Sequence, residues 1–224
     1  MSGLTALIAG STGLVGRNVA HQLAASSDYD RVFALVRAGA LPLPDGVDAV
    51  ETDFEALMSG RDLPKADHVY ICLGTTIKKA GSQENFSRID RDYVAAIAAK
   101  AHAAGARRLA VVSSVGVTPS TGNFYLSVKA QMEAAVTALP FERISIVRPS
   151  LLVGERPGDK RLMEGIFQTL APLFDPLLRG SAARYHSVKG ETVAAAMIAA
   201  TLNGELGTDI LEYDAIKSWA TRLA

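Results

Sequence analysis

Short apolar runs rich in β-branched residues alternate along the chain with segments whose apolar positions recur every three or four residues. The runs at 4–9, 31–36, 47–51, 67–73, 107–113, 143–148 and 208–212 read as strands. They are short and mostly apolar on both faces, the pattern of a buried parallel sheet. Helical patterns lie between them at 14–26, 84–104, 123–139, 161–170, 190–203 and 214–221. In the first, Val15, Val19 and Leu23 fall on one stripe, the face that packs on a sheet. The βαβαβ order with short connections predicts an α/β fold: a Rossmann-type doubly wound parallel sheet with right-handed crossovers and helices on both faces. Its ligand belongs at the carboxyl ends of the strands.

A chain of 224 residues is expected to form one domain of this kind, spanning 1–224. There is no internal repeat, low-complexity tract or charged tail. The one change in composition is at 154–182, where Pro157, Pro172, Pro176 and several glycines interrupt regular structure. With its flank, 154–189 reads as a cap over the substrate. Met163, Ile166, Phe167 and Leu170 form a helical stripe there, and Leu173, Phe174, Leu177 and Leu178 continue apolar beyond it. Both core packing and a greasy lid fit that pattern.

Composition narrows the functions. The 23 Lys and Arg balance 23 Asp and Glu, so no charge excess points to nucleic acid or an anionic membrane. No stretch is suited to spanning a bilayer; 94–112 carries Lys100, His102, Arg107 and Arg108. The first apolar run lacks a basic flank and is broken by glycine, so no signal peptide is expected. Cys72 is the single cysteine, which excludes an internal disulfide and a cysteine-rich zinc site. It reads as a small buried apolar residue, in a reducing compartment taken to be the cytoplasm. No metal is expected.

The chemistry starts at Gly10-Ser11-Thr12-Gly13-Leu14-Val15-Gly16, directly after the first strand and opening the first helix. A sharp turn there presents the free N–H groups and positive dipole of the helix N-terminus, which suit a phosphate. Gly10 permits the turn, Gly13 lets backbone approach a pyrophosphate, and Gly16 lets the helix pack close to the strand. The spacing departs from G-x-G-x-x-G and in isolation is no more than a glycine turn. At the end of the second strand, where an acid would accept from the ribose hydroxyls of NAD, stands Arg37. A guanidinium suits the 2′-phosphate of NADP, so NADP(H) is preferred, with NAD(H) the alternative. Arg17 at the helix start fits either. Asp53-Phe54 follows the third strand, beside the adenine edge, and Cys72-Leu73-Gly74-Thr75-Thr76 ends the fourth. Gly74 leaves space for cofactor, and the threonines can donate to phosphate or ribose.

The fifth strand ends in Ser113-Ser114, and Tyr125 and Lys129 follow four apart on one face of a helix. A phenol of ordinary pKa near 10 is a poor base at pH 7; closing the gap requires about 4 kcal/mol of preference for the phenolate. A nearby ammonium supplies part of it. A serine hydroxyl at the strand end can orient a carbonyl and stabilise its developing charge.

With these residues in hand, the chain resembles the short-chain dehydrogenase/reductase superfamily, in its atypical and extended branches with a G-x-x-G-x-x-G loop. The glycine loop, Arg37, Asp53-Phe54, the serine pair, Tyr125-x-x-x-Lys129 and Arg148-Pro149-Ser150-Leu151-Leu152 carry the resemblance. A closer one is to Tat-interacting-protein-like reductases, on Cys72 to Thr76, Lys79-Ala80-Gly81, Asp90-Arg91-Asp92-Tyr93-Val94, Asn123-Phe124 and Phe141-Glu142-Arg143. The resemblance implies a triad of Ser114, Tyr125 and Lys129, with Ser113 the alternative serine. It also implies a nicotinamide pocket lined by backbone from Pro149 through Leu151 and Leu152, and interconversion of a carbonyl and an alcohol with NADPH. The asparagine of many reductases has no counterpart; Asp90 to Val94 occupies that helix. Many members pair through the helices matching 84–104 and 123–139, which makes a homodimer an expectation.

The stretch after Pro149 is short for a nucleotide-sugar site, so the expected substrate is a small or apolar carbonyl compound. Arg184, His186 and Lys189 read as solvated surface. Two other functions share the motifs: an NADPH-sensing protein with a regulatory protein partner, and an NAD-dependent epimerase or dehydratase.

Overall fold

The computed structural model describes residues 3–40, 42–60, 62–154 and 185–223. Its main sheet contains β1 (Leu4–Ala9), β2 (Tyr29–Val36), β3 (Val47–Glu51), β4 (His68–Ile71), β5 (Arg108–Val112), β6 (Arg143–Val147) and β9 (Gly207–Leu211). All are parallel, in the order β3-β2-β1-β4-β5-β6-β9. The order grows outward from β1 to one side and from β4 to the other, which places the crevice of a doubly wound sheet at the carboxyl ends of those two strands. All seven strands expected from the apolar runs are present, within a few residues at their ends.

Successive residues of β1 feed opposite cores. Ala6 and Ile8 pack with Val15, Val19 and Leu23 of α1 (Leu14–Ala25) and with α7 (Gly190–Asn203) and α8 (Tyr213–Ala220). Leu7 and Ala9 pack with α5 (Tyr93–Ala103) and α6 (Phe124–Thr137). This is the two-faced burial that a continuous apolar run anticipates.

The edge strand β3 departs from that expectation. Its residues alternate and stay partly or fully exposed, because no further strand or helix closes over them among the described residues. The connection from β2 to β3 carries no helix among those residues. Short helices α2 (Phe54–Met58) and α3 (Ile77–Ala80) follow strand ends, and too few apolar repeats mark them in the sequence; α4 (Gln83–Ser87) comes next along the chain. A two-stranded parallel ladder joins β7 (Leu152–Val153) to β8 (Val188–Lys189).

The segment expected as one helix at 84–104 is a composite. It runs from α4 through a π-helical turn, Arg88–Asp92, into α5, and Tyr93 N–H donates to the Arg88 carbonyl five residues back. The wider turn brings Asp90 inward, to 1% exposure. The helix expected at 161–170, most of the cap at 154–189, and Arg184 lie outside the described residues.

Candidate functional site

The glycine loop crosses the carboxyl end of β1 against that of β4. Gly10 has φ of 88°, and a Cβ on it would stand 2.6 Å from the Cys72 carbonyl oxygen. A Cβ on Gly16 would stand 2.1 Å from the carbonyl oxygen of Gly10. Both glycines are therefore required by the protein itself. Gly13 is different: a Cβ there would come no closer than 3.4 Å to the Gly10 carbonyl oxygen. The fold itself therefore has room for a side chain there at ordinary contact distance.

Gly13 caps α1 with no side-chain hydrogen bond, and the first turn holds no acidic residue, so the first N–H groups have no local acceptor. Ser11 is buried, and its Oγ has no hydrogen-bond partner among the described residues. Thr12 is exposed beside it. A buried hydroxyl without a partner, unblocked helix donors and the room at Gly13 fit the phosphates of a dinucleotide. Leu14 and Val15 anchor the cradle in the core; a Cβ on Gly154 or Gly190 would fall within 3 Å of the Leu14 side chain, so those glycines seat it.

Arg37 is exposed at the end of β2 and makes no ion pair among the described residues. Arg17 is exposed on α1. Asp53 caps α2, its carboxylate accepting from Glu55 N–H at 2.9 Å. Phe54 packs on Tyr93, with ring centroids 5.5 Å apart. Both flank the carboxyl end of β3. Burial pushes the Cys72 thiol up to about 12, so it is inert as a nucleophile. Leu73 packs against the core, and Gly74 is exposed at the crevice. Thr75 N–H donates to Asp90 Oδ2 at 2.8 Å, while the Thr76 hydroxyl caps α3 and accepts from Lys79 N–H. The Thr76 hydroxyl thus has a structural acceptor role.

Asn123 caps α6, accepting from Leu126 N–H at 3.1 Å, and the helix then carries Tyr125, Lys129 and Glu133 at successive four-residue steps. Tyr125 is half-buried with its ring 5.6 Å from that of Phe86. Lys129 is 3% exposed, and its Nζ lies 2.7 Å from Asp90 Oδ1. A Cβ on Gly74 would touch both Asp90 Oδ1 and Lys129 Nζ, so the crevice reaches this ion pair.

The two serines have opposite surroundings. Ser113 is buried and donates to Glu133 Oε1 at 2.5 Å. Glu133 also accepts a forked pair of bonds from Arg148, 2.9 Å from Nε and 2.6 Å from Nη2. Ser114 is half-buried, with one long contact of 3.4 Å to the Val115 carbonyl. The chain from 149 onward lies alongside: Val115 N–H donates to Pro149, Ser150 donates to the His186 carbonyl, and Val188 N–H donates to Leu151. Leu151 is 39% exposed, and Leu152 opens β7. His186 packs edge-on against Tyr213, and Lys189 is exposed.

Asp90, Glu133 and Arg148 were not assigned roles from the sequence. Glu133 extends the Tyr125 and Lys129 stripe by one more four-residue step, between buried Met132 and Val136. A charged residue at that place on a helix face is a signal for a buried partner.

The profile of the NAD(P)H-binding family matches residues 10–203. The chain is 33% identical over 199 residues to protein FMP52, mitochondrial, of Debaryomyces hansenii, covering 85% of this chain and 84% of that protein. It is 43% identical over 94 residues to protein HTATIP2 of Rattus norvegicus, covering 40% of this chain and 38% of that protein. A solved short-chain dehydrogenase/reductase superfamily protein from Agrobacterium tumefaciens with bound NAD shares the fold at a TM-score of 0.66 and 19% identity, covering 94% of this chain and 78% of that one.

The yeast relatives correct the cytoplasmic expectation, because they are named as mitochondrial proteins. A single cysteine fits a reducing compartment, and more than one compartment meets that description. The glycine cradle, the parallel sheet and the profile match together place the chain in the NAD(P)H-binding family, and a 94-residue stretch of it is similar to protein HTATIP2.

Proposed function

We propose that the chain is an NADP-dependent oxidoreductase that interconverts a small or apolar carbonyl compound and its alcohol. The observation that carries the reading is α6, on which Tyr125 stands one turn before the buried Lys129, whose ammonium lies 4.0 Å from where a Cβ on Gly74 would stand. Gly10 to Gly16 would hold the pyrophosphate, Arg37 the 2′-phosphate, Asp53 and Phe54 the adenosine side, and Leu73 to Thr75 with Pro149 to Leu152 the nicotinamide side. Bound there, NADPH supplies a hydride to the carbonyl carbon.

Ser114 donates a hydrogen bond to the substrate carbonyl oxygen and orients it. Tyr125 delivers the proton that this oxygen needs as the carbon is reduced, and takes it back in the reverse direction. Lys129 places a positive charge beside the phenol and favours its ionised form. Ser113 is held by Glu133, which leaves Ser114 as the serine available to substrate. The segment 154–189 serves as the substrate cap. The setting proposed is mitochondrial, from the names of the yeast relatives.

The test is NADPH consumption over a panel of aldehydes, ketones and quinones, with wild type and Tyr125→Phe. Turnover that disappears in the variant, with NADPH binding nearly intact, is the expected result. A fully active variant would sink the mechanism. Tight NADPH binding without turnover on any compound would favour a cofactor-sensing protein.

A further inference from the structure

Asp90 stands out because its place depends on a local irregularity. The π-helical turn at Arg88–Asp92 carries two arginines outward, Arg88 to Glu55 at 3.4 Å and Arg91 to Asp92 at 2.6 Å, and turns one carboxylate inward. That carboxylate is fixed at both oxygens, by Lys129 Nζ at 2.7 Å and Thr75 N–H at 2.8 Å. The remaining charges near Lys129 are taken. Glu133, one turn further along α6, is neutralised by Arg148, and Lys78 and Lys79 are exposed on α3. Asp90 is therefore the counter-ion of Lys129, and the two lie under the crevice with side-chain exposures of 1% and 4%.

We propose that Asp90 is a positioning residue that acts on Tyr125 through Lys129, an inference resting on the oxidoreductase reading of this site. It does two things. It holds the ammonium at one point beneath Gly74, tied to the loop that ends β4, so that Lys129 is in place before cofactor arrives. It also offsets part of the positive charge that Lys129 offers the phenol one turn back along α6. A merely structural Asp90 would do the first without the second. Burying an ion pair is a poor route to stability, since desolvation cancels most of its attraction. A role in setting the charge at the site gives that pair a function.

The test reads Tyr125 itself and needs no substrate. Phenolate absorbance is titrated in wild type and in Asp90→Asn, and each curve is subtracted from that of its own Tyr125→Phe partner, which isolates one phenol among six tyrosines. Removing the unit negative charge that pairs with Lys129 should move the Tyr125 step to lower pH by about one unit or more in Asp90→Asn. Asp90→Glu, which keeps the charge, should leave the step near its wild-type position. Should the carboxamide variant not fold, Asp90→Ser is the neutral replacement with the same expected displacement. Coincident steps in wild type and the neutral variant would overturn the proposal, as would an equal displacement in Asp90→Glu. Absence of turnover in wild type counts against the oxidoreductase reading instead, so the two failures are distinguishable.

Discussion

Ser113 and Ser114 are adjacent in sequence, yet one is bound to a buried carboxylate and the other is half-buried with a single long contact. Spacing alone could not separate them, because the choice depends on Glu133, which reaches β5 only once α6 is packed. On this account Ser114→Ala lowers kcat by about a hundred-fold and leaves stability nearly unchanged, since it removes one donor to the developing charge. Ser113→Ala takes a hydrogen bond from a buried carboxylate and should cost roughly 1–3 kcal/mol of stability in denaturant unfolding. The reverse ordering of kcat losses would exchange their roles. Arg37 stands at the end of β2, where the proposed function sets the 2′-phosphate. Arg37→Ala should weaken NADPH by about ten-fold or more and leave NADH nearly unaffected, as read by direct binding of both cofactors.

At the scale of elements, the glycine loop and α1 could be read directly, because their requirements are those of the backbone. Gly10 and Gly16 face main-chain oxygens that no neighbouring adjustment can move cheaply, whereas a Cβ on Gly13 would meet the Gly10 and Cys72 carbonyl oxygens only at ordinary contact distance, 3.4 and 4.0 Å. Gly16→Ala should therefore destabilise the fold by about 2 kcal/mol or more. Gly13→Ala should stay within about 1 kcal/mol of wild type while losing NADPH affinity by ten-fold or more. Equal stability losses in the two would contradict this division. The composite helix around Asp90 was not legible, since a π-helical turn shifts the register by one residue without any distinct apolar period. Asp90 lay within the helix expected at 84–104, with no role of its own assigned.

For the whole molecule, the apolar runs foresaw every strand of the main sheet, because each is buried between helices or set by its neighbours' register. The exposed edge at β3 was missed for the complementary reason: an edge is defined by the absence of a neighbour, which a local pattern does not record. A polar knot inside the sheet was also missed. Tyr29 Oη lies 2.8 Å from His68 Nδ1 and 2.7 Å from Tyr70 Oη, all three buried. Burial and the Arg108 charge lower the His68 pKa from 6.5 to about 4, while burial pushes both phenols up. The folded state thus holds His68 neutral, and an unfolded chain takes up a proton that the folded chain refuses. Its contribution to stability is complete above pH 6.5 and is lost as pH falls towards 4, to a total of about 3 kcal/mol. His68→Gln should flatten this part of the pH dependence in denaturant unfolding; an unchanged slope between wild type and variant would contradict a neutral buried His68.

The central claim is that the crevice between β1 and β4 directs hydride to a carbonyl carbon, and isotope transfer tests it most directly. NADPH carrying deuterium at the transferable position is supplied with the carbonyl compound that wild type consumes fastest, and the product is analysed by mass. Deuterium on the new carbinol carbon, absent from parallel reactions of Tyr125→Phe, is the predicted result. Consumption of NADPH with no label in an alcohol product, or label transfer undiminished in the variant, would contradict the account.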